Sequence, residues 1–319
     1  MAVYTEIQVE ELEAFLAQYK IGDLLSYRGI AEGVENSNFM LNTTQGNYIL
    51  TLYEKRVSME ELPYFLNLME HLAKNGISCP LPIAQHSGEI IGTLAGKPAV
   101  IVSFLQGMWM RRPSVEHCRE LGQGMAQLHL AGLDFSMTRA NDLSVNSWRP
   151  LWNKVKERAD ELEKDITFKI EEELDIIEKT WPSQLPMGVI HADLFTDNVF
   201  FIQNHLSGII DFYFACNDFL AYDIAICLNA WCFERDYSYN LTKGHGLLSR
   251  YQSIRPLSVD EVQSIPILAR GAAMRFFLTR LYDWFNTPQN SLVTKKDPME
   301  YWKKLCFFRD IRSASELGF

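Results

Sequence analysis

Short apolar segments alternate with turn residues along the first third of the chain. Residues 39–41 and 48–53 are apolar runs on either side of a polar turn at 44–47, which predicts an antiparallel hairpin. Residues 89–93 and 97–104 form a second pair of apolar runs and predict a second hairpin. This alternation is typical of a small antiparallel β-sheet.

Helical spacing of apolar residues occurs once in this first part and dominates the rest of the chain. Residues 60–74 carry apolar side chains at intervals of three and four, and Asn75-Gly76 ends the predicted helix. Beyond residue 106 the same spacing recurs, with long predicted helices at 222–233 and 262–285.

These two patterns divide the chain into two predicted domains. Residues 1–105 form a small domain with an antiparallel sheet and one helix, and residues 106–319 form a larger, mainly helical domain. The predicted class is therefore α+β. A functional site is expected in the space between the two domains.

Charge and composition exclude several classes of partner. The net charge of −10 at pH 7 argues against nucleic acid as a main partner, because this surface would repel a polyanion. A local site with its own metal can still bind ATP. No apolar run reaches the length of a membrane span, the acidic start of the chain is not a secretory signal, and the scattered cysteines lack zinc-site or disulfide spacing. We therefore expect a cytoplasmic protein without nucleic-acid or membrane partners.

The pattern H-x-D-x-x-x-x-N carries the most chemical information in the chain. It places Asp193 and Asn198 in one loop between two apolar runs, and Asp211 follows at the end of a further apolar strand. Phosphoryl transfer needs this set, because one Asp orients a hydroxyl nucleophile while an Asn and a second Asp hold Mg²⁺ on a nucleoside triphosphate. His191 is the other candidate catalytic residue, and we expect its imidazole to brace the loop by hydrogen bonds rather than to transfer protons.

These motifs identify a family resemblance that spans most of the chain. Through residues 191–198 and 209–212 the chain resembles the kinase-like phosphotransferases, the superfamily of aminoglycoside and choline kinases. Within it, residues 35–39, 45–54 and above all 212–233 are similar to bacterial homoserine kinases of this type. The resemblance implies a protein-kinase-like two-lobe fold, ATP and Mg²⁺ as cofactors, and phosphorylation of the hydroxyl of L-homoserine in threonine biosynthesis.

The nucleotide is expected to contact the small domain. Residues 33–39, between the first two predicted strands, are the candidate phosphate loop, and the exit of a later strand is the candidate adenine-reading connector. The third strand of kinase-like lobes usually carries a lysine, but Thr51 stands there, while Lys55 and Arg56 are predicted surface charges. The candidate nucleotide-binding residues are Asn36, Ser37, Asn38, Thr51, Ser103, Phe104 and Leu105.

A zwitterionic substrate requires a cation for its carboxylate and an acid for its ammonium group. Arg275 and Arg280 are the candidate cations, since an arginine offers a bidentate fork to carboxylate. Asp218 and Asp223 are the candidate acids. Ordinary structural roles compete, because Arg280 can pair with Asp283 on one helix face and either acid can cap a helix.

The sequence is compatible with two alternative functions. One is a kinase of another small alcohol, such as choline or an aminoglycoside; the tryptophans and tyrosines around residues 213–231 and at 284 suit a cation cage, although core packing accounts for them as well. The other is a pseudokinase that binds ATP without turnover, which only Thr51 favours.

Overall fold

The computed structural model describes residues 5–30, 36–54, 58–287 and 295–319. Gly33, Val34 and Glu35 of the predicted phosphate loop, and the predicted surface charges Lys55 and Arg56, lie outside the described residues. The chain forms two compact units. The first runs to Gln106 and also takes in Gly208–Tyr213, which the sequence-based division places in the second domain. The second contains Gly107–Ser207 and continues from Phe214.

A five-stranded antiparallel sheet in the order β1-β2-β3-β5-β4 forms the centre of the first unit. Both predicted hairpins are confirmed. Among its described residues the first unit contains two helices, where the sequence-based prediction has one. Its elements are α1 (Val9–Leu16), β1 (Leu24–Gly29), β2 (Ser37–Thr43), β3 (Gly46–Leu52), α2 (Leu62–Lys74), β4 (Gly92–Leu94) and β5 (Lys97–Ser103).

The two faces of this sheet carry different residues because side chains alternate along a strand. Leu50 and Leu52 of β3 lie in a buried apolar cluster with Phe15 of α1. Thr51 and Tyr53 therefore point to the opposite face. The register of β2 against β3 pairs Thr51 with Asn38, which brings two candidate nucleotide-binding residues together.

The second unit is mainly helical, and α6 packs against α8, which in turn packs against α9. The predicted helices at 222–233 and 262–285 are confirmed as α6 and α8. None of the described helices combines the length and the apolar composition that a membrane crossing requires. The helices are α3 (Val115–Ala131), α4 (Val145–Trp152), α5 (Ile166–Thr180), α6 (Leu220–Trp231), α7 (Leu241–Gln252), α8 (Val259–Asn286) and α9 (Met299–Asp310).

Four short strands complete the fold: β6 (Met187–Ile190), β7 (Val199–Ile202), β8 (His205–Ile209) and β9 (Cys216–Phe219). β6 pairs antiparallel with β9, and β7 pairs with β8. The loop at 191–198 joins β6 to β7, and α6 starts directly after β9. This arrangement sets the first turn of α6 beside the start of the loop.

Candidate functional site

A buried carboxylate accepts hydrogen bonds from the backbone at the start of the loop at 191–198. Asp223, in the first turn of α6, is fully buried and accepts hydrogen bonds from the backbone N–H groups of His191 and Ala192, each at 2.9 Å. The Nε2 atom of His129 on α3 lies 3.1 Å from the same carboxylate. Burial alone would raise the pKa of Asp223, but the hydrogen bond and charge of His129 and the groups of His191 lower it below its ordinary value. Asp223 therefore acts on the loop as an anion.

Ala192 needs such an anchor because its backbone is strained. Its φ angle is +63°, a left-handed conformation that costs a residue with a Cβ atom about 1–3 kcal/mol. Its N–H group donates to Asp223, and its carbonyl oxygen accepts from the Nη1 atom of Arg275 at 2.7 Å. The peptide groups on both sides of this residue are thus fixed by buried charges from α6 and α8.

Two further hydrogen bonds stabilise the loop. The indole Nε1 of Trp231 donates to the carbonyl oxygen of Leu194 at 2.7 Å. The N–H group of Asp193 donates to Nδ1 of His191 at 3.3 Å, and His191 is fully buried. This contact favours a bracing role for the imidazole of His191.

Asp193 and Asn198 are linked directly. The Nδ2 atom of Asn198 donates to the backbone oxygen of Asp193 at 2.8 Å and to its carboxylate at 3.2 Å. Because the amide nitrogen faces Asp193, the amide oxygen of Asn198 points away and is the atom suited to a metal ligand. Asp193 itself is half-buried, so its carboxylate combines a fixed position with access from outside.

The donor chemistry of Asn198 and Asp211 suits Mg²⁺. An amide oxygen and a carboxylate are hard ligands, and Mg²⁺ in nucleotide sites takes one or two of them together with phosphate oxygens and water. Within the described residues, no group of three or more His, Cys, Asp or Glu side chains is arranged to hold a metal ion by itself.

Asp211 belongs to the first unit, is exposed, and lies near two tyrosine hydroxyls. Its φ angle is +66°. Burial raises the pKa of Tyr213 to about 12 and raises that of Tyr53 as well, and the charge of Asp211 adds to both shifts. The two tyrosine hydroxyls lie 2.6 Å apart. Thr51, where a lysine is usual, lies close to Tyr213 and donates to the Oδ1 atom of Asn38 at 2.8 Å. Neutral hydroxyl and amide groups therefore occupy the face of the sheet on which kinase-like lobes usually carry the ammonium group of a lysine.

The other candidate nucleotide-binding residues differ in how accessible they are. Ser37 is fully buried, and its hydroxyl donates to Glu54 at 2.6 Å, so its contacts favour a structural role over the predicted phosphate contact. Asn36 is also buried. Ser103 accepts a hydrogen bond from the N–H group of Leu81 at 2.9 Å. The connector positions Phe104, which is exposed, and Leu105, which is half-buried, follow it directly.

The four candidate substrate-binding residues fall into two groups. Asp223 and Arg275 contact the loop backbone, and these contacts favour a bracing role over direct recognition of substrate. Asp218 is buried and accepts from Nδ2 of Asn141 at 2.7 Å, and burial raises its pKa. Arg280 instead pairs with Glu300 of α9 at 2.7 Å.

Sequence reasoning did not single out several residues that lie near the loop or near the candidate substrate-binding residues. His129 lies on α3, and Glu300, Tyr301 and Lys304 lie on α9, where no short motif marks them. Each stands among other charged and polar residues of its helix, so its position in the sequence carries no functional assignment.

Comparison with known proteins agrees with this geometry. Residues 26–257 match the model of a family described as the phosphotransferase enzyme family. The chain is 61% identical over 318 residues to a homoserine kinase of Brucella anthropi, in a match that covers 100% of this chain and 98% of that protein.

Solved structures of kinases share the fold at low sequence identity. A microcompartment-associated aminopropanol kinase has a TM-score of 0.71 at 15% identity, over 98% of this chain and 99% of that one. An amicoumacin kinase in complex with AMP-PNP and Ca²⁺ has a TM-score of 0.69 at 15% identity, over 98% of this chain and 93% of that one. These likenesses confirm the predicted α+β fold of the kinase-like type.

Proposed function

The chain belongs to the phosphotransferase enzyme family and, within it, to the homoserine kinases, and from this membership we propose that it transfers the γ-phosphoryl group of ATP to the side-chain hydroxyl of L-homoserine. The observation that carries the proposal is full-length identity of 61% to a homoserine kinase in a chain whose Asp193 sits in a rigidly supported loop. The product is O-phospho-L-homoserine, which places the enzyme in threonine biosynthesis.

Each residue of the loop has a defined part in this proposal. Asp193 accepts the hydrogen bond of the substrate hydroxyl, holds it in line with the γ-phosphorus and receives its proton as the new P–O bond forms and the bond to ADP breaks. His191 fixes the N–H group of Asp193 and so the direction of its side chain. Asn198 and Asp211 would hold Mg²⁺, which when bound would offset the negative charge of the phosphates.

A substrate panel tests the proposed reaction. Purified protein with Mg·ATP should release ADP with L-homoserine, and far more slowly or not at all with L-serine, choline or kanamycin. Phosphorylation of choline or kanamycin in preference to homoserine would contradict the proposal. Binding of ATP without turnover of any of the four would favour a pseudokinase.

Asparagine in place of Asp211 tests the proposed metal ligand. Asparagine tolerates the left-handed backbone at this position, so the exchange removes the charge and preserves the local fold. Because changes even in the outer shell of a metal site cost about 10- to 100-fold in affinity, the Mg²⁺ concentration for half-maximal rate should rise at least about tenfold. Asp197→Asn, at an exposed acid of the neighbouring loop, is the control. An unchanged Mg²⁺ titration of the Asp211 variant would contradict the assignment.

We also propose a cytoplasmic location. Supply of ATP favours it, and so do the cysteines, all six of which are free and five of which are buried. The negative charge of the chain supports the absence of nucleic-acid partners.

A further inference from the structure

Two cations and one carboxylate meet between α8 and α9. Glu300 receives the guanidinium of Arg280 on one oxygen and the ammonium of Lys304 on the other, each at 2.7 Å. The side chains of the two cations are 12% and 6% exposed, whereas that of Glu300 is 32% exposed, so the group reaches the surface at its acidic end. One positive charge is left over.

Tyr301 lies against this group. The Arg280 guanidinium and the Lys304 ammonium each lie 4.4 Å from the centre of its ring. The ring also packs on Phe276, at 5.2 Å between centres, and faces Phe195 of the loop at 6.5 Å. We call Arg280, Glu300, Tyr301 and Lys304 the α8–α9 cluster.

The hydroxyl of Tyr301 is fully buried and has no hydrogen-bond partner within the part of the chain that the structure describes. A buried polar group without a partner is costly, and native proteins normally satisfy it. Burial raises the pKa of this hydroxyl above its ordinary value; the charge of Arg280 opposes that rise, and the charges of Glu300 and Asp193 add to it. The hydroxyl therefore responds to the charges of the α8–α9 cluster and of Asp193.

The α8–α9 cluster carries more positive than negative charge. Burial lowers the pKa of the Lys304 ammonium, and the neighbouring Arg280 lowers it as well, while Glu300 only partly offsets these effects. An anion that arrived beside Arg280 and Lys304 would neutralise the surplus charge. A carboxylate is such an anion, and it would also accept the hydrogen bond of Tyr301.

We propose that the α8–α9 cluster binds the α-carboxylate of the substrate, with Arg280 and the hydroxyl of Tyr301 as its donors and Glu300 and Lys304 holding Arg280 in place. This assignment rests on the proposed function, and it names how the same site recognises an amino acid.

The test removes one hydroxyl and compares substrates with and without a carboxylate. Tyr301→Phe should lower kcat/KM for L-homoserine by about 10- to 100-fold, the loss expected for a hydrogen bond to a charged group. It should leave kcat/KM for 3-aminopropan-1-ol, which is homoserine without its carboxylate, unchanged. Inhibition by L-2-aminobutyrate, which is homoserine without its hydroxyl, should weaken by the same factor as homoserine turnover.

Stability separates recognition from a purely structural role. Because the Tyr301 hydroxyl has no partner among the described residues, its removal should leave the melting temperature of the free enzyme unchanged or raise it. Lys304→Met, compared with Lys303→Met at the exposed neighbouring position, should selectively raise KM for homoserine. The KM for ATP should stay as in the wild type for all three variants.

Two results would overturn the assignment: an equal loss of kcat/KM for both substrates in Tyr301→Phe, or no loss for homoserine. Failure of the proposed function has a different signature, since the wild-type enzyme itself would then not phosphorylate homoserine. The wild-type measurement is made first, so the two failures are distinguished.

Discussion

Asparagine at position 193 is expected to lower kcat by about 10²–10⁴-fold, the range that a positioned acid or base contributes. The amide keeps the size of the carboxylate and can still accept the hydrogen bond from Nδ2 of Asn198. It cannot receive the proton of the substrate hydroxyl. The dissociation constant of ATP should change by less than about twofold, because Asp193 acts on the acceptor and not on the nucleotide. Steady-state kinetics and calorimetric titration with ATP measure the two quantities.

Asp197→Asn is the matched control for that exchange. Asp197 lies in the same loop, is exposed, and undergoes the same loss of charge. Its kcat should stay within a factor of about two of the wild type. If Asp193→Asn retained a kcat close to that of the control, Asp193 would not be the group that orients the hydroxyl.

The contact between Asp193 and Asn198 could be predicted from the sequence because it is local. Asp193 and Asn198 lie five positions apart, and the short loop between β6 and β7 is enough to bring them together. The hairpins and the two long helices could be predicted for the same reason, since periodicity over a few residues decides them.

The groups that hold the loop in place could not be predicted in this way. His129, Asp223 and Arg275 come from three helices and converge on the loop through tertiary packing. Their residue types alone suggested substrate contacts for Asp223 and Arg275, because an acid and a base near a motif look the same in sequence whether they bind a ligand or a backbone.

Arg280 illustrates the same limit. On sequence spacing, its nearest acidic neighbour on α8 is Asp283, but the structure pairs it with Glu300 of α9. An interhelical ion pair depends on how α8 and α9 pack, which no local pattern encodes. The orphaned hydroxyl of Tyr301 is visible only once that packing is known.

Asparagine at position 223 should destabilise the protein by about 3 kcal/mol and lower kcat by about a hundredfold. The stability loss follows because the carboxylate accepts two backbone N–H groups and faces His129, and hydrogen bonds to a buried charge contribute about 1.5–3 kcal/mol each. The loss of rate follows because Ala192 would leave its strained conformation, and a displacement of about 1 Å at a reacting group costs roughly this factor. Denaturant unfolding and steady-state kinetics measure the two effects, and Asp142→Asn, at a side chain that is 70% exposed, should change neither.

The pH dependence of that stability loss identifies the charge as its cause. The pKa of Asp223 is lower in the folded protein than its ordinary value, so its ionised form stabilises the fold. This contribution is fully present above about pH 5, where an unfolded aspartate is ionised, and it is lost as the pH falls below about 4 toward the folded pKa. The difference in unfolding free energy between wild type and Asp223→Asn should therefore be constant near neutral pH and shrink in acid. A difference that stayed the same throughout would mean that side-chain shape, and not the anion, anchors the loop at 191–198.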